Sequence, residues 1–294
     1  MTQDRRDFLK TLGLVGLGGA LPSGALASHA TRSHDQDVGV LVDSTYCVGC
    51  RKCEWACRDS NGMDNLPIED YANAGTLPGA RRPDAGLHTV VNAYPNPDGE
   101  NPRFVKFQCM HCLEPACASA CIVGALKKTD GGPVHYDASK CIGCRYCMVA
   151  CPFQIPTYEY DRALAPRVMK CTLCFERTME RGERPACVSI CPEGCLIYGT
   201  REELLDYARA RIAQKPERYH DHIYGEHEAG GTSWLYLAAA PLTTLGFPEL
   251  EDVAPGHYTE RVQHGVFKNF FPPLALYALL GGIMWLNKRQ GGEE

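Results

Sequence analysis

The chemistry in this sequence is carried by cysteine: the chain has 294 residues and 17 cysteines, and all but Cys195 fall into four tight groups. The first group is Cys47-x2-Cys50-x2-Cys53-x3-Cys57, and the second is Cys109-x2-Cys112-x4-Cys117-x3-Cys121. The third is Cys141-x2-Cys144-x2-Cys147-x3-Cys151-Pro152, and the fourth is Cys171-x2-Cys174-x12-Cys187-x3-Cys191-Pro192. Thiols at such spacing offer three chemistries: disulfides, zinc, or iron–sulfur clusters. Zinc sites usually come as two separated C-x2-C pairs rather than as triplets with a trailing Cys-Pro. Disulfides between so many close neighbours are disfavoured by Cα and Cβ geometry. No C-x-x-C-H occurs, so covalent c-type haem is excluded.

Three cysteines at two-residue gaps wrap a short backbone around one cubane, with neighbouring amides free to point at its sulfides. The fourth, three residues on, has left that loop. In the ferredoxin run C-x2-C-x2-C-x3-C-P it ligates the other cluster of a pair. Cys141, Cys144 and Cys147 are therefore expected on one cluster and Cys151 on its neighbour. Sixteen ligands in four motifs predict two ferredoxin-like cluster pairs related by duplication. The repeat is visible elsewhere, since "CIVGAL" (121–126) aligns with "CPEGCL" (191–196). The odd cysteine, Cys195, falls opposite Ala125, which predicts a small buried slot and no ligand role. His111, inside Cys109-Met110-His111-Cys112, either tunes a cluster or packs.

The elements that must position these thiols are short. "GPVHYD" (132–137) and "LIYGT" (196–200) read as strands. Thr200-Arg201-Glu202-Glu203 is a capping box opening the helix "REELLDYARARIAQ". "YGEHEAGGTSWLYL" (224–237) reads as a turn feeding a strand. Residues 58–108 form a Pro-, Asn- and Gly-rich insertion. This insertion and the 224–237 stretch supply no ligands, so both are candidates for partner contact. The other histidines, His222 and His227 among them, read as surface or hydrogen-bonding residues.

Net charge is −5, and 22 % of residues are charged, which gives no reason to expect nucleic acid. No substrate pocket or catalytic triad is suggested, so an electron-transfer protein without its own active site is expected. Residues 1–30 read as a twin-arginine export signal: Arg5 and Arg6 precede Phe8-Leu9-Lys10, a mildly apolar run, and small-residue cleavage sites at Ala25-Leu26-Ala27 or Ser28-His29-Ala30. That route exports folded proteins with cofactors already inserted, which reconciles export with metal-binding thiols. Near the other end, Phe270 to Leu286 carries no charge. It predicts a transmembrane helix within 266–289, about 25 Å long at ~1.5 Å per residue, against a hydrocarbon core of ~30 Å. Lys288 and Arg289 favour a cytoplasmic C-terminus. A helix docked on a partner is the alternative.

The four motifs, "DSTYCVGC", "QCMHC", "CIGCRYCMVACPF", "GTREELL" and the terminal helix together resemble the ferredoxin-like iron–sulfur subunits of respiratory membrane oxidoreductases. The resemblance covers most of the chain from residue 38 onward and is nearest to the HybA-type subunits of membrane-bound nickel–iron hydrogenase. Formate dehydrogenase and polysulfide reductase subunits, partners of molybdopterin enzymes, share the cluster core. The resemblance implies a nested pairing. Cys47, Cys50 and Cys53 share a [4Fe–4S] cluster with Cys191, and Cys171, Cys174 and Cys187 share one with Cys57. Likewise Cys109, Cys112 and Cys117 join Cys151, and Cys141, Cys144 and Cys147 join Cys121. Ile122 departs from the family, which often has proline there. The implied fold is α+β: duplicated ferredoxin-like dicluster modules over 38–200, a helix and strand extension over 201–265, and one C-terminal transmembrane helix. The implied role is electron relay on the periplasmic side of the cytoplasmic membrane, between catalytic hydrogenase or molybdopterin subunits and a quinone-reactive membrane subunit. An exported module stabilised by disulfides or zinc is the alternative of another class.

Overall fold

Strand β1 (Val38–Asp43) is the central strand of the largest sheet, and its pattern shows why. Val40, Leu41 and Val42 are all buried, as a strand covered on both faces requires. The computed structural model describes residues 33–72, 80–97, 99, 101–162, 164–257 and 271–290. The export signal expected over 1–30 lies outside them.

From β1 the chain runs through helix α1 (Lys52–Ser60) to the hairpin β2 (Thr89–Tyr94) and β3 (Arg103–Gln108). Helix α2 (Ala116–Ser119) and the strands β4 (Leu126–Lys128) and β5 (Val134–Tyr136) follow. Helix α3 (Tyr146–Ala150), the pair β6 (Thr157–Tyr158) and β7 (Val168–Met169), and helix α4 (Ala186–Ser189) come next. The sequence closes with β8 (Leu196–Thr200), α5 (Arg201–Gln214), β9 (Trp234–Leu237) and α6 (Phe271–Gln290). The architecture is α+β with small antiparallel pairs around one three-stranded sheet of order β8-β1-β9.

That sheet separates two apolar layers by the period of two along its strands. Leu41, Leu235 and Leu237 face α5, where they meet Leu204, Leu205 and Ala208. Val40, Val42, Trp234 and Tyr236 face the other way, into the layer that contains most of the cysteines. β1 pairs with β8 antiparallel and with β9 parallel. The approach to β9 requires Gly39, where a Cβ would stand 2.4 Å from the Ser233 carbonyl oxygen. The capping box at α5 forms as the sequence implies: Thr200 accepts from the Glu203 amide, and the Glu203 carboxylate accepts from the Thr200 amide at 3.0 Å.

Three expectations need correction. The insertion 58–108 is not only loop: Thr89–Tyr94 and Arg103–Gln108 pair as the β2–β3 hairpin, with Val90, Val105 and Phe107 in the core. The 224–237 stretch ends in a strand as expected. Thr232 through Leu237 are wholly buried, however, so this part is core and no contact surface. The third concerns the transmembrane anchor expected over 266–289. Phe271–Gln290 is a helix of 20 residues, yet among the described residues no helix is long and apolar enough to cross a membrane. The uncharged run stops at Leu286, and Asn287-Lys288-Arg289-Gln290 supply the remaining length of the helix.

Candidate metal centres

Each thiol group is shaped by a backbone pattern that occurs twice. Asp43 caps the 3-10 turn Ser44–Tyr46 by accepting from the Thr45 amide at 3.1 Å. Asp137 caps Ala138–Lys140 by accepting from the Ser139 amide at 3.0 Å. Cys47 and Cys141 follow directly. Gly49 and Gly143 then take φ of 70° and 71°, and Arg51 and Arg145 take 58° and 60°. Left-handed residues at these points curl the loop, turning its amides inward. A Cβ at Gly49 would stand 2.4 Å from the Phe104 ring, and one at Gly143 would stand 2.5 Å from Tyr158 Oη. The second and fourth motifs repeat a different pattern. His111 and Leu173 take φ of 49° and 54°, Pro115 and Pro185 start the short helices α2 and α4, and Gly124 and Gly194 take 62° and 60°. The duplication read from "CIVGAL" and "CPEGCL" is thus present in the backbone.

Cys47, Cys50, Cys53 and Cys191 line one cavity, together with Lys106 and Cys195. Cys57, Cys171, Cys174 and Cys187 line a second, together with Lys106 and Trp234. Two further groups emerge from electrostatic neighbourhood. Burial, and then Cys109, Cys151 and Cys117, push the Cys112 thiol well above its usual range. Burial, and then Cys121, Cys141 and Cys144, push Cys147 up to about 11.

These groups form a single file. Lys106 lines both the first and the second cavity. Cys171, of the second group, has Cys109 of the third as a charged neighbour. Cys117, of the third, has Cys147 of the fourth. The middle of the file is buried at Cys57, Cys109, Cys117, Cys171 and Cys187, whereas Cys144 at one end is exposed.

Amides do point at sulfur. Ala125 donates to Cys121 Sγ at 3.2 Å, while Gly143 and Leu173 donate to Cys141 and Cys171 Sγ at 3.4 Å. All seventeen cysteines are free thiols. Among the described residues no three His, Cys, Asp or Glu side chains converge on a position for a single metal ion, as zinc bound at ~2.3 Å by thiolates would require. The first two groups instead line two cavities, each walled by four thiols. Among the described residues, none accepts from the buried Nε1–H of Trp234, which lines the second cavity. Four thiols around each cavity, with backbone amides already directed at sulfur, form a donor set that fits a cluster.

Two residues here were not assigned this place by sequence reasoning. Cys195 is buried, as expected opposite Ala125, but its Sγ also lies 3.4 Å from Cys191 Sγ. The Cys195 hydrogen bond, outweighing burial, draws the Cys191 thiol down to about 6. Lys106 lay inside the supposed contact insertion. Burial alone would lower its pKa, but Cys187, Cys53, Cys171 and Cys57 outweigh that and hold it above the usual value. His111 is buried; its Nδ1 accepts from the Val134 amide at 2.9 Å, and desolvation keeps the ring neutral.

Residues 101–201 match the 4Fe-4S dicluster domain family. The chain is 36 % identical over 334 residues to the hydrogenase-2 operon protein HybA of Escherichia coli O157:H7, covering 99 % of each. A formate dehydrogenase iron-sulfur subunit of Haemophilus influenzae is 33 % identical over 272 residues, covering 89 % of this chain and 82 % of that one. A protein of Nitratidesulfovibrio vulgaris is 46 % identical over 250 residues, covering 84 % and 67 %. The fold and its thiol groups therefore define an iron–sulfur protein of the ferredoxin-like dicluster class. More narrowly, the chain belongs to the family of iron–sulfur electron-transfer subunits of respiratory oxidoreductases that includes HybA and the formate dehydrogenase subunits.

Proposed function

We propose that this chain is a four-cluster electron wire. Cys47, Cys50, Cys53 and Cys191 would hold the first [4Fe–4S] cluster, and Cys57, Cys171, Cys174 and Cys187 the second. Cys109, Cys112, Cys117 and Cys151 would hold the third, and Cys121, Cys141, Cys144 and Cys147 the fourth. The observation that carries this reading is the single file of four thiol groups, buried in the middle and open at Cys144. Bound clusters supply one-electron chemistry. The chain's own residues set their spacing, supply N–H donors to sulfur and exclude water from the inner groups.

The wire would join catalytic subunits to a quinone-reactive membrane subunit. Nickel–iron hydrogenase is the favoured catalytic partner, because the match to HybA runs the length of both chains. Formate dehydrogenase, or another molybdopterin enzyme such as polysulfide reductase, is the second reading, supported by the relative from Haemophilus influenzae. The twin arginines support export after cluster insertion and work on the periplasmic side. Attachment to the membrane would then come from docking on the membrane subunit. Iron and sulfide analysis of anaerobically purified protein is expected to give about sixteen of each per chain; about eight would sink the four-cluster reading. Purification from membranes should bring hydrogenase subunits with the chain, and molybdopterin subunits in their place would select the second reading.

A further inference from the structure

Lys106 sits 3 % exposed between the first two cavities and lines both. A buried ammonium normally requires a carboxylate, since an isolated charge taken out of water is strongly disfavoured. Lys106 has none. Its Nζ donates to Thr89 Oγ1 at 2.6 Å and to Gln108 Oε1 at 2.9 Å, and lies 4.6 Å from the centre of the Trp234 ring. Both oxygens are committed as acceptors. The Thr89 hydroxyl donates to the Phe107 carbonyl at 3.3 Å. Gln108 Nε2 donates to Tyr236 Oη at 2.6 Å, and that hydroxyl in turn donates to the Lys106 carbonyl at 3.0 Å. The network therefore orients every partner to receive hydrogen from Nζ, with the ring face as a third site of attraction. What it lacks is a negative charge, and the two thiol groups flanking Lys106 are where negative charge arrives.

We propose that Lys106 is a shared electrostatic tuning residue, raising the reduction potentials of the first and second clusters together while leaving the third and fourth nearly untouched. The inference rests on the four-cluster reading above. Each one-electron reduction adds one negative charge to a cluster, and a fixed cation nearby favours that state, the more so in a medium of low dielectric. The third and fourth groups are further along the file, so the influence on them is weaker.

The test is a redox titration followed by electron paramagnetic resonance on the whole chain, with iron content measured alongside. Lys106→Met keeps the length and removes the charge. It is expected to retain about sixteen irons and to lower two of the four potentials. Gln108→Glu keeps the lysine but gives it a carboxylate partner, and the same two potentials are expected to fall by less. The second variant decides the matter if the first fails to load. Full iron with unmoved potentials, or with all four displaced alike, would overturn the proposal, because a merely structural lysine would not select two clusters. Wild-type protein holding about eight irons would overturn the four-cluster reading and this inference with it.

Discussion

The first and third motifs share a backbone and differ in everything that covers it. Both begin with an aspartate-capped turn and both place glycine, then arginine, in the left-handed region. Arg51 is buried against Glu54 at 2.9 Å, and that carboxylate also accepts from Arg81 and from the Val91 amide. In the third motif the residue matching Glu54 is Met148, and Arg145 lies over the rings of half-buried Tyr158 and exposed Tyr160 instead. Around it Ile122, Ile142, Tyr146 and Val149 are exposed, with Val149 at 81 %. The loop that wraps the thiols is thus a fixed device. The insertion and the β2–β3 hairpin enclose one copy, while the other copy opens to solvent at Cys144. Burial here is set by what was added around the motif and not by the motif itself.

The sharpest way to break this comparison is to remove a thiol from each half. Cys187→Ala lies in the buried layer and is expected to prevent loading of the second cluster and to destabilise the sheet packed on it. Cys144→Ala, at the exposed end, is expected to lose one cluster, about four of sixteen irons, with the thermal transition little changed. Equal loss of stability in the two variants would remove the distinction. Next in size is Glu54→Met, which gives the first motif the residue of the third. Two arginines then lose a buried carboxylate, and a cost of about 3–5 kcal/mol is expected from chemical denaturation. Arg145→Ala in the open copy should cost less than about 1 kcal/mol. If Glu54→Met proves no worse than Arg145→Ala, burial of the first motif is not what distinguishes it.

A smaller effect tests the buried half by pH. His88, beside the hairpin, has its pKa lowered to about 4 by burial first and then by Lys170 and Arg167. Below the unfolded value near 6.5 the unfolded chain binds a proton that the folded chain refuses. Stability is therefore expected to fall as pH drops from about 6.5 towards 4, by at most about 3 kcal/mol from this residue. His88→Phe should flatten that slope. A slope unchanged in the variant would show that other groups dominate acid unfolding.

Much of this was legible because ligand spacing is a local property. The four motifs, the repeat at Gly124 and Gly194, the capping box at Thr200 and the strand at 196–200 are all encoded within a few residues. Lys106 was not legible, since its role comes from a hairpin folded back over α1 and from cavities whose walls lie far apart in sequence. The 224–237 stretch misled for a related reason: a polar, Gly-rich approach hid the fact that β9 is buried by pairing with β1. The terminal run misled by its composition. Freedom from charge suggests a span, but the uncharged residues are too few, and polar ones complete the helix.

Cys195 gives the finest discrimination between the two copies, and the smallest effect. The equivalent position in the other copy is Ala125, so the fold accepts the smaller side chain without losing a cluster. Cys195→Ala is accordingly expected to keep full iron content. Its Sγ, however, is 3.4 Å from Cys191 and hydrogen-bonds Cys47 as well, so a weak S–H donor faces two of the proposed ligands of the first cluster. Donors to ligand sulfur favour the reduced, more negative state. The first cluster alone should therefore shift to a lower potential in this variant, by less than in Lys106→Met. Redox titration of the two variants side by side orders the effects. Loss of a cluster in Cys195→Ala would make Cys195 a ligand and would require one of the sixteen assigned cysteines to give up its place.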